Sequence, residues 1–238
     1  MTGGLTIDAD VERVPEALRA VHGSLPVGAE VRFEVVTPLP AGRLADLLVG
    51  AGFAPSRPRR HGGGWRVRVE RLRTLADSVG PDMRLLVVGL NPSLVAADAG
   101  YGFAGPTNRF WKAAALAGVV TIGRDPGRAL ADDGVGMTDL VKRATPRSAE
   151  VGVDEYRAGA ERVERLVDWL APAAVGVVGL EGWRAVRDRR ARSGWQPGGW
   201  GGRPVYVMPS TSGLNASARL DDLVAHLGAA AAGPGPRP

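Results

Sequence analysis

"MRLLVVGLNPSLVAADAGYGFAGPTNRFW", residues 83 to 111, begins as a continuous apolar run and ends in a loop of glycines, prolines and aromatics. The run at 83–90 lacks any alternation of apolar and polar side chains, the pattern of a parallel strand covered on both faces. Two further runs repeat it, "AAVGVVGL" at 173–180 and "RPVYVMP" at 203–209. Helical spacing predicts helices over about 107–118, 125–132, 154–170, 181–191 and 217–231, with Thr107 and Asp154 as N-caps. Strands alternating with helices predict an α/β fold, a three-layer α/β/α arrangement around a central parallel sheet. In such sheets ligands bind beyond the carboxyl ends of the strands. Two loops of unusual composition leave those ends, one after Leu90 and the other "PSTSGLNA" at 209–216. Both are expected to face one crevice.

Residues 1–78 read as a separate, small α/β accessory domain whose purpose the sequence leaves open. A helix is predicted over about 10–22, an alternating strand at 29–36 and a helix at 41–53. Two short strands are expected around the glycine turn "HGGG" at 61–64. Residues 79–230 form the main domain of this reading, and 231–238 a disordered tail.

Composition removes several chemistries at once. The 238 residues include no cysteine, which excludes disulfides, thiolate catalysis and cysteine-ligated metal. The three histidines, His22, His61 and His226, lie too far apart in sequence to suggest a metal site, and no metal or cofactor is expected. No apolar run reaches the roughly 20 residues that span a bilayer. The first residues carry neither the basic nor the apolar segment of a signal peptide, so a cytoplasmic protein is expected. The net charge of +5 suits an anionic partner. Nearly all the basic charge is arginine, as a GC-rich genome would also produce, but two clusters stand out. One comprises Arg57, Arg59, Arg60, Arg66, Arg68, Arg71 and Arg73, the other Arg184, Arg187, Arg189, Arg190 and Arg192.

The two loops contain no ordinary nucleophile and base pair. Asn91 is not basic, but a carboxamide can hold a water in position for attack, which suffices where the leaving group departs first. It could equally cap the turn before Pro92. Tyr101 and Phe103, in "GYGFAGP", are placed to stack on a flat ring or to plug the core beneath the loop. "PSTSGLNA" offers hydroxyls and backbone amides to an anion, and Leu214 is the kind of apolar wedge that enters a base stack. A water-holding amide, a stacking aromatic, donors and a wedge are together what an enzyme acting on an extruded base requires.

These same residues carry a family resemblance. "GLNPSLVAADAGYGFAGPTNRFW" resembles the first motif of the mismatch-specific uracil/thymine DNA glycosylases of the uracil-DNA glycosylase superfamily, and "MPSTSGLNA" resembles the second. Between them, "GVGMTDLVKRATPRSAEV" at 134–151 is similar to the family's middle segment. The resemblance covers about 82–228 and implies Asn91 as the catalytic, water-positioning residue and Phe103 as the platform under the base. It implies a base pocket built from Gly89, Leu90, Ser93, Tyr101, Phe103 and Ser210. DNA contacts are implied for Lys142, Arg143, Ser212, Gly213, Leu214 and Asn215. Two departures bear on substrate range: Ser93 stands where the commoner motif has glycine, and Ser210-Thr211-Ser212 where bacterial forms often have Asn-Pro-Ser.

The expected function is hydrolysis of the N-glycosidic bond of uracil, with thymine or other damaged bases open, in double-stranded DNA carrying G:U or related mismatches. The expected setting is base excision repair at the nucleoid, by a monomer. A catalytically inactive lesion-binding module is the alternative. A hydrolase of free nucleosides is disfavoured, because the loops lack carboxylate clusters for metal or ribose.

Overall fold

The computed structural model describes residues 4–235. It contains two sheets. The first is built from β1 (Gly4–Asp8), β2 (Glu30–Val36), β3 (Phe53–Pro55), β4 (Arg59–His61) and β5 (Gly64–Arg71), in the order β1-β2-β5-β3 with β4 also on β5. Helices α1 (Val14–Ser24) and α2 (Ala41–Gly50) belong to this unit. The predicted helix at 41–53 ends three residues early, at Gly50. Gly52 adopts a positive φ of 86° that turns the chain into β3, and a side chain there would collide with His22. β1 was not anticipated, since "GLTID" is too short and too polar to signal a strand.

The second sheet carries the site. It comprises β6 (Leu85–Gly89), β7 (Val135–Asp139), β8 (Val175–Val178), β9 (Gly194–Trp200) and β10 (Arg203–Met208), ordered β7-β6-β8-β10-β9. β6, β7, β8 and β10 are parallel, and β9 closes the edge in antiparallel pairing with β10. Every residue of β6 and β8 is buried, as continuous apolar runs require. The six helices that flank this sheet are α3 (Leu94–Ala99), α4 (Phe110–Leu116), α5 (Pro126–Asp133), α6 (Val153–Leu170), α7 (Leu180–Val186) and α8 (Leu220–Ala232). The fold is the α/β/α arrangement that the alternation implies, with β7, β9 and α3 added.

Two N-caps differ from expectation. α6 starts after Gly152, whose N–H donates to Glu155, while Asp154 pairs with Arg157 on the helix surface. α4 starts after Arg109, and Thr107 closes against Gly213 instead. Of the expected disordered tail, Ala231 and Ala232 belong to α8, and residues 236–238 lie outside the described residues.

The two sheets share one apolar core, in which Phe33, Phe53 and Trp65 from the first unit are continuous with Val79, Val163 and Val177 from the second. A buried ionic cluster sits at the same junction. The Asp77 carboxylate accepts from Lys142 Nζ at 2.8 Å, Arg162 Nη1 at 2.8 Å and Thr138 Oγ1 at 2.7 Å. Burial alone would push this carboxyl up, but Arg162 and Lys142 outweigh it and hold it below its ordinary value. A side chain at Gly50 would overlap both Asp77 and Arg162, so the end of α2 is packed directly onto the cluster.

Candidate active site

A cleft of about 430 Å³ opens at the carboxyl ends of β6, β7 and β10. Both loops line it: Gly89 to Ser93 on one side and Ser210 to Leu214 on the other, with the segment Thr145 to Ala149 as a third wall. Among the described residues no group of three or more His, Cys, Asp or Glu side chains could hold a metal ion, and no helix is long and apolar enough to cross a membrane.

Asn91 follows β6 directly, and its amide is held in one orientation. Nδ2 donates to Thr145 Oγ1 at 2.7 Å, the Arg143 carbonyl at 3.1 Å and the Pro92 carbonyl at 3.2 Å. Thr145 Oγ1 itself donates to the Arg147 carbonyl at 2.9 Å, so toward Asn91 it can only accept. These contacts put the NH2 group into the wall and leave Oδ1 without a donor among the described residues. A carbonyl oxygen so fixed can accept a hydrogen bond from water.

Phe103 lines the cleft in a left-handed conformation, φ 58°, which costs a non-glycine residue energy and is found where surrounding contacts hold it. Its ring stacks on the fully buried Phe110 ring at 4.1 Å and 18°. Trp111 Nε1 donates to the Gly102 carbonyl at 2.8 Å and fixes the loop from below. Tyr101 is not brought into this cleft, contrary to expectation. It packs edge-on against Trp111 and borders a separate niche behind Phe103.

Ser93 lines the cleft and also caps α3, its Oγ accepting from Ala96 N at 3.1 Å. Its φ of −75° suits any residue, so nothing in the backbone calls for glycine here. Leu90 turns its side chain into the core, against Gly179 and Gly182 at the start of α7.

The second loop is braced by a residue that sequence reasoning passed over. Arg109 donates to the carbonyls of Ser212, Asn215 and Ala218. Its position one residue before two aromatics disguised it as a helix opener. Asn215 is likewise occupied within the loop: Nδ2 bonds the Ser210 carbonyl, and Oδ1 accepts from Ser217. Ser210 Oγ and Ser212 Oγ accept from the amides of Ser212 and Leu214, which tightens the turn. Gly213 has no room for a Cβ beside Thr107. At the tip of this rigid turn Leu214 is 91 % exposed, the most exposed large apolar side chain described.

The two expected DNA-facing cations are placed differently. Lys142 lies in the buried cluster with Asp77, so it cannot meet a phosphate in this arrangement. Arg143 makes a two-pronged pair with Glu155, whose carboxyl is pulled down to about 2 by that contact and by the Gly152 amide. Arg147 is the cation at the cleft mouth, with its side chain 80 % exposed and only a loose 3.8 Å approach to Glu150. The spacing in "KRATPR" gave no means of ranking the three.

One acid was missed altogether. Asp139 ends β7 opposite Gly89 and lines the cleft, and no hydrogen bond to its carboxyl comes from the described residues. Burial pushes its pKa up to about 6, partly offset by Lys142. Its place in "MTDLVK" looked like an ordinary strand end.

The model of the uracil DNA glycosylase superfamily matches residues 76–228. That stretch contains the whole second sheet, the cleft, Asn91, Phe103 and the Leu214 turn. The match takes in more than half the chain, and the protein belongs to the uracil DNA glycosylase superfamily.

Proposed function

We propose that the protein is a monofunctional DNA N-glycosylase that removes uracil, and related deaminated bases, from mismatched double-stranded DNA. Membership of the superfamily supports a DNA glycosylase acting on uracil-type lesions. The observation that carries the finer reading is the fixed Asn91 amide, with Oδ1 turned to the cleft by Thr145.

The chemistry follows from the groups present. With the base extruded onto Phe103, the bond from C1′ to the base nitrogen breaks and its electron pair leaves with the base. The sugar becomes oxocarbenium-like. Asn91 Oδ1 holds a water by one proton, and the water oxygen bonds to C1′. The water's remaining proton passes to solvent, and the base anion takes up a proton as it departs. Neither a strong base nor a covalent intermediate is needed, because the nucleophile is required only after the leaving group has begun to go. Correct placement of the water then supplies the acceleration. Leu214 fills the space that the base vacates, which offsets unstacking of a few kcal/mol. A mismatched pair opens more readily, and that difference favours G:U sites. Arg147 is the cation placed to meet the DNA backbone, with the protein acting as a monomer at the nucleoid.

The test is alkali-dependent strand nicking of labelled duplexes containing G:U, A:U, G:T or G:hypoxanthine. Wild type should nick G:U best, and Asn91→Ala should lose about 100-fold or more, the scale of a lost preorganised group. Mismatch binding without nicking on any duplex would replace this reading with a lesion-binding module.

A further inference from the structure

We propose that Asp139 reads the extruded base, donating the proton of a neutral carboxyl to a base carbonyl and accepting from the ring N–H beside it. The inference rests on the glycosylase reading and deepens it by naming the edge of the base that is recognised.

Position is the first ground. Asp139 and Gly89 are register partners at the ends of β7 and β6. A Cβ on Gly89 would overlap Asp139 Oδ1 and would lie 3.6 Å from Phe103 Cζ. The carboxyl and the edge of the stacking ring therefore converge over one backbone position. A base lying on Phe103 would present its rim to Asp139. Gly89 is required there, since any side chain would displace the acid.

The second ground is hydrogen bonding. Neighbouring polar groups are committed elsewhere: Thr138 Oγ1 and Lys142 Nζ to Asp77, and Arg162 to Asp77, Thr138 and the Asp139 carbonyl. The Asp139 carboxyl alone receives no bond from the described residues, although it lines the cleft. A polar group so enclosed is costly unless a ligand satisfies it.

Charge supplies the third. As the glycosidic bond breaks, negative charge spreads onto the base carbonyls. A carboxylate at the rim would oppose that charge, whereas a neutral carboxyl donating a hydrogen bond stabilises it. The groups facing Asp139 are Lys142 from the loop after β7, Asp77 from the segment before β6, and Arg162 from α6. Arg19 of α1 borders the niche that Asp139 shares with Phe103. Burial and Asp77 favour the neutral form, Lys142 and Arg162 the ionised one, and the balance lies at about 6.

A neutral carboxyl matches an edge that carries a carbonyl beside an N–H. Uracil has this edge, and so do hypoxanthine and xanthine, because deamination creates it. The substrate class is therefore lactam-edged bases, pyrimidine or purine.

The experiment is single-turnover base release from duplexes with uracil or 3-methyluracil opposite guanine, over pH 5–8.5. Wild type, Asp139→Asn and Asp139→Ala are compared. In wild type, uracil release should fall with pH above about 6, approaching tenfold per unit. Asp139→Asn keeps a donor and an acceptor but does not titrate, so its profile should be flat through that range. Wild type should prefer uracil over 3-methyluracil by about tenfold or more, the value of one hydrogen bond to a polar group. Asp139→Ala should treat the two bases alike. A titrating profile in Asp139→Asn, or equal slowing of both bases by Asp139→Ala, would assign Asp139 to another role. Absence of base release by wild type at every pH would overturn the glycosylase reading, and this assignment with it.

Discussion

Thr145 Oγ1 accepts from Asn91 Nδ2 at 2.7 Å and donates to the Arg147 carbonyl at 2.9 Å, so one hydroxyl decides which end of the Asn91 amide faces the cleft. The two residues lie 54 positions apart, and the Ser93–Thr145 bridge with the Thr145 N–H on the Pro92 carbonyl draws them together. Thr145→Val removes the acceptor at nearly constant volume and lets the amide turn over. Base release should slow by about tenfold, the value of one such hydrogen bond, with duplex affinity unchanged. Thr145→Ser should recover most of the rate. Equal single-turnover rates for wild type and the valine variant would show that the amide is oriented by its two carbonyl contacts alone.

Arg109 and Leu214 make a second such pair, one holding the turn that presents the other. Leu214 is 91 % exposed, so Leu214→Ala should leave thermal unfolding unchanged. It should slow release from duplexes, and more so opposite adenine than opposite guanine, because the better-paired uracil depends more on a wedge. Arg109→Ala deprives three loop carbonyls of their donor and should show the same opposing-base dependence, together with lower stability. An equal loss opposite both partners would mean that Leu214 does not act on base-pair opening.

These relationships explain what could be read from the chain and what could not. β6, β8 and β10 were legible because strands buried on both faces must be continuously apolar. β7 was not: "VGMTD" carries Thr138 and Asp139, which face the ionic cluster and the cleft, so it lacks that signature. Asn91, Phe103 and Leu214 could be found because each stands out within its own loop. The partners that fix them, Thr145, Phe110 and Arg109, acquire meaning only through contacts, and for Thr145 and Arg109 those contacts reach across the fold. Lys142 is the converse. A lysine beside an arginine in a basic chain reads as surface charge, and only its distance to Asp77 reveals a buried partner.

That distinction between Lys142 and Arg147 can be measured. Lys142 is buried against Asp77, and removing one member of a buried pair leaves the other charge uncompensated. Lys142→Ala should therefore lower unfolding stability by about 3–5 kcal/mol. At temperatures where it remains folded, its DNA affinity should depend on salt as wild type does. Arg147→Ala should behave oppositely. Its side chain is 80 % exposed, so stability should hold, while the slope of log affinity against log salt should shrink by about 1. Both slopes are best taken in the Asn91→Ala background, where turnover does not consume the duplex. A reduced slope for Lys142→Ala would mean that the Asp77 cluster opens when DNA binds. The apparent structural cation would then be released to the phosphate backbone at that step, coupling the junction between the two sheets to substrate binding.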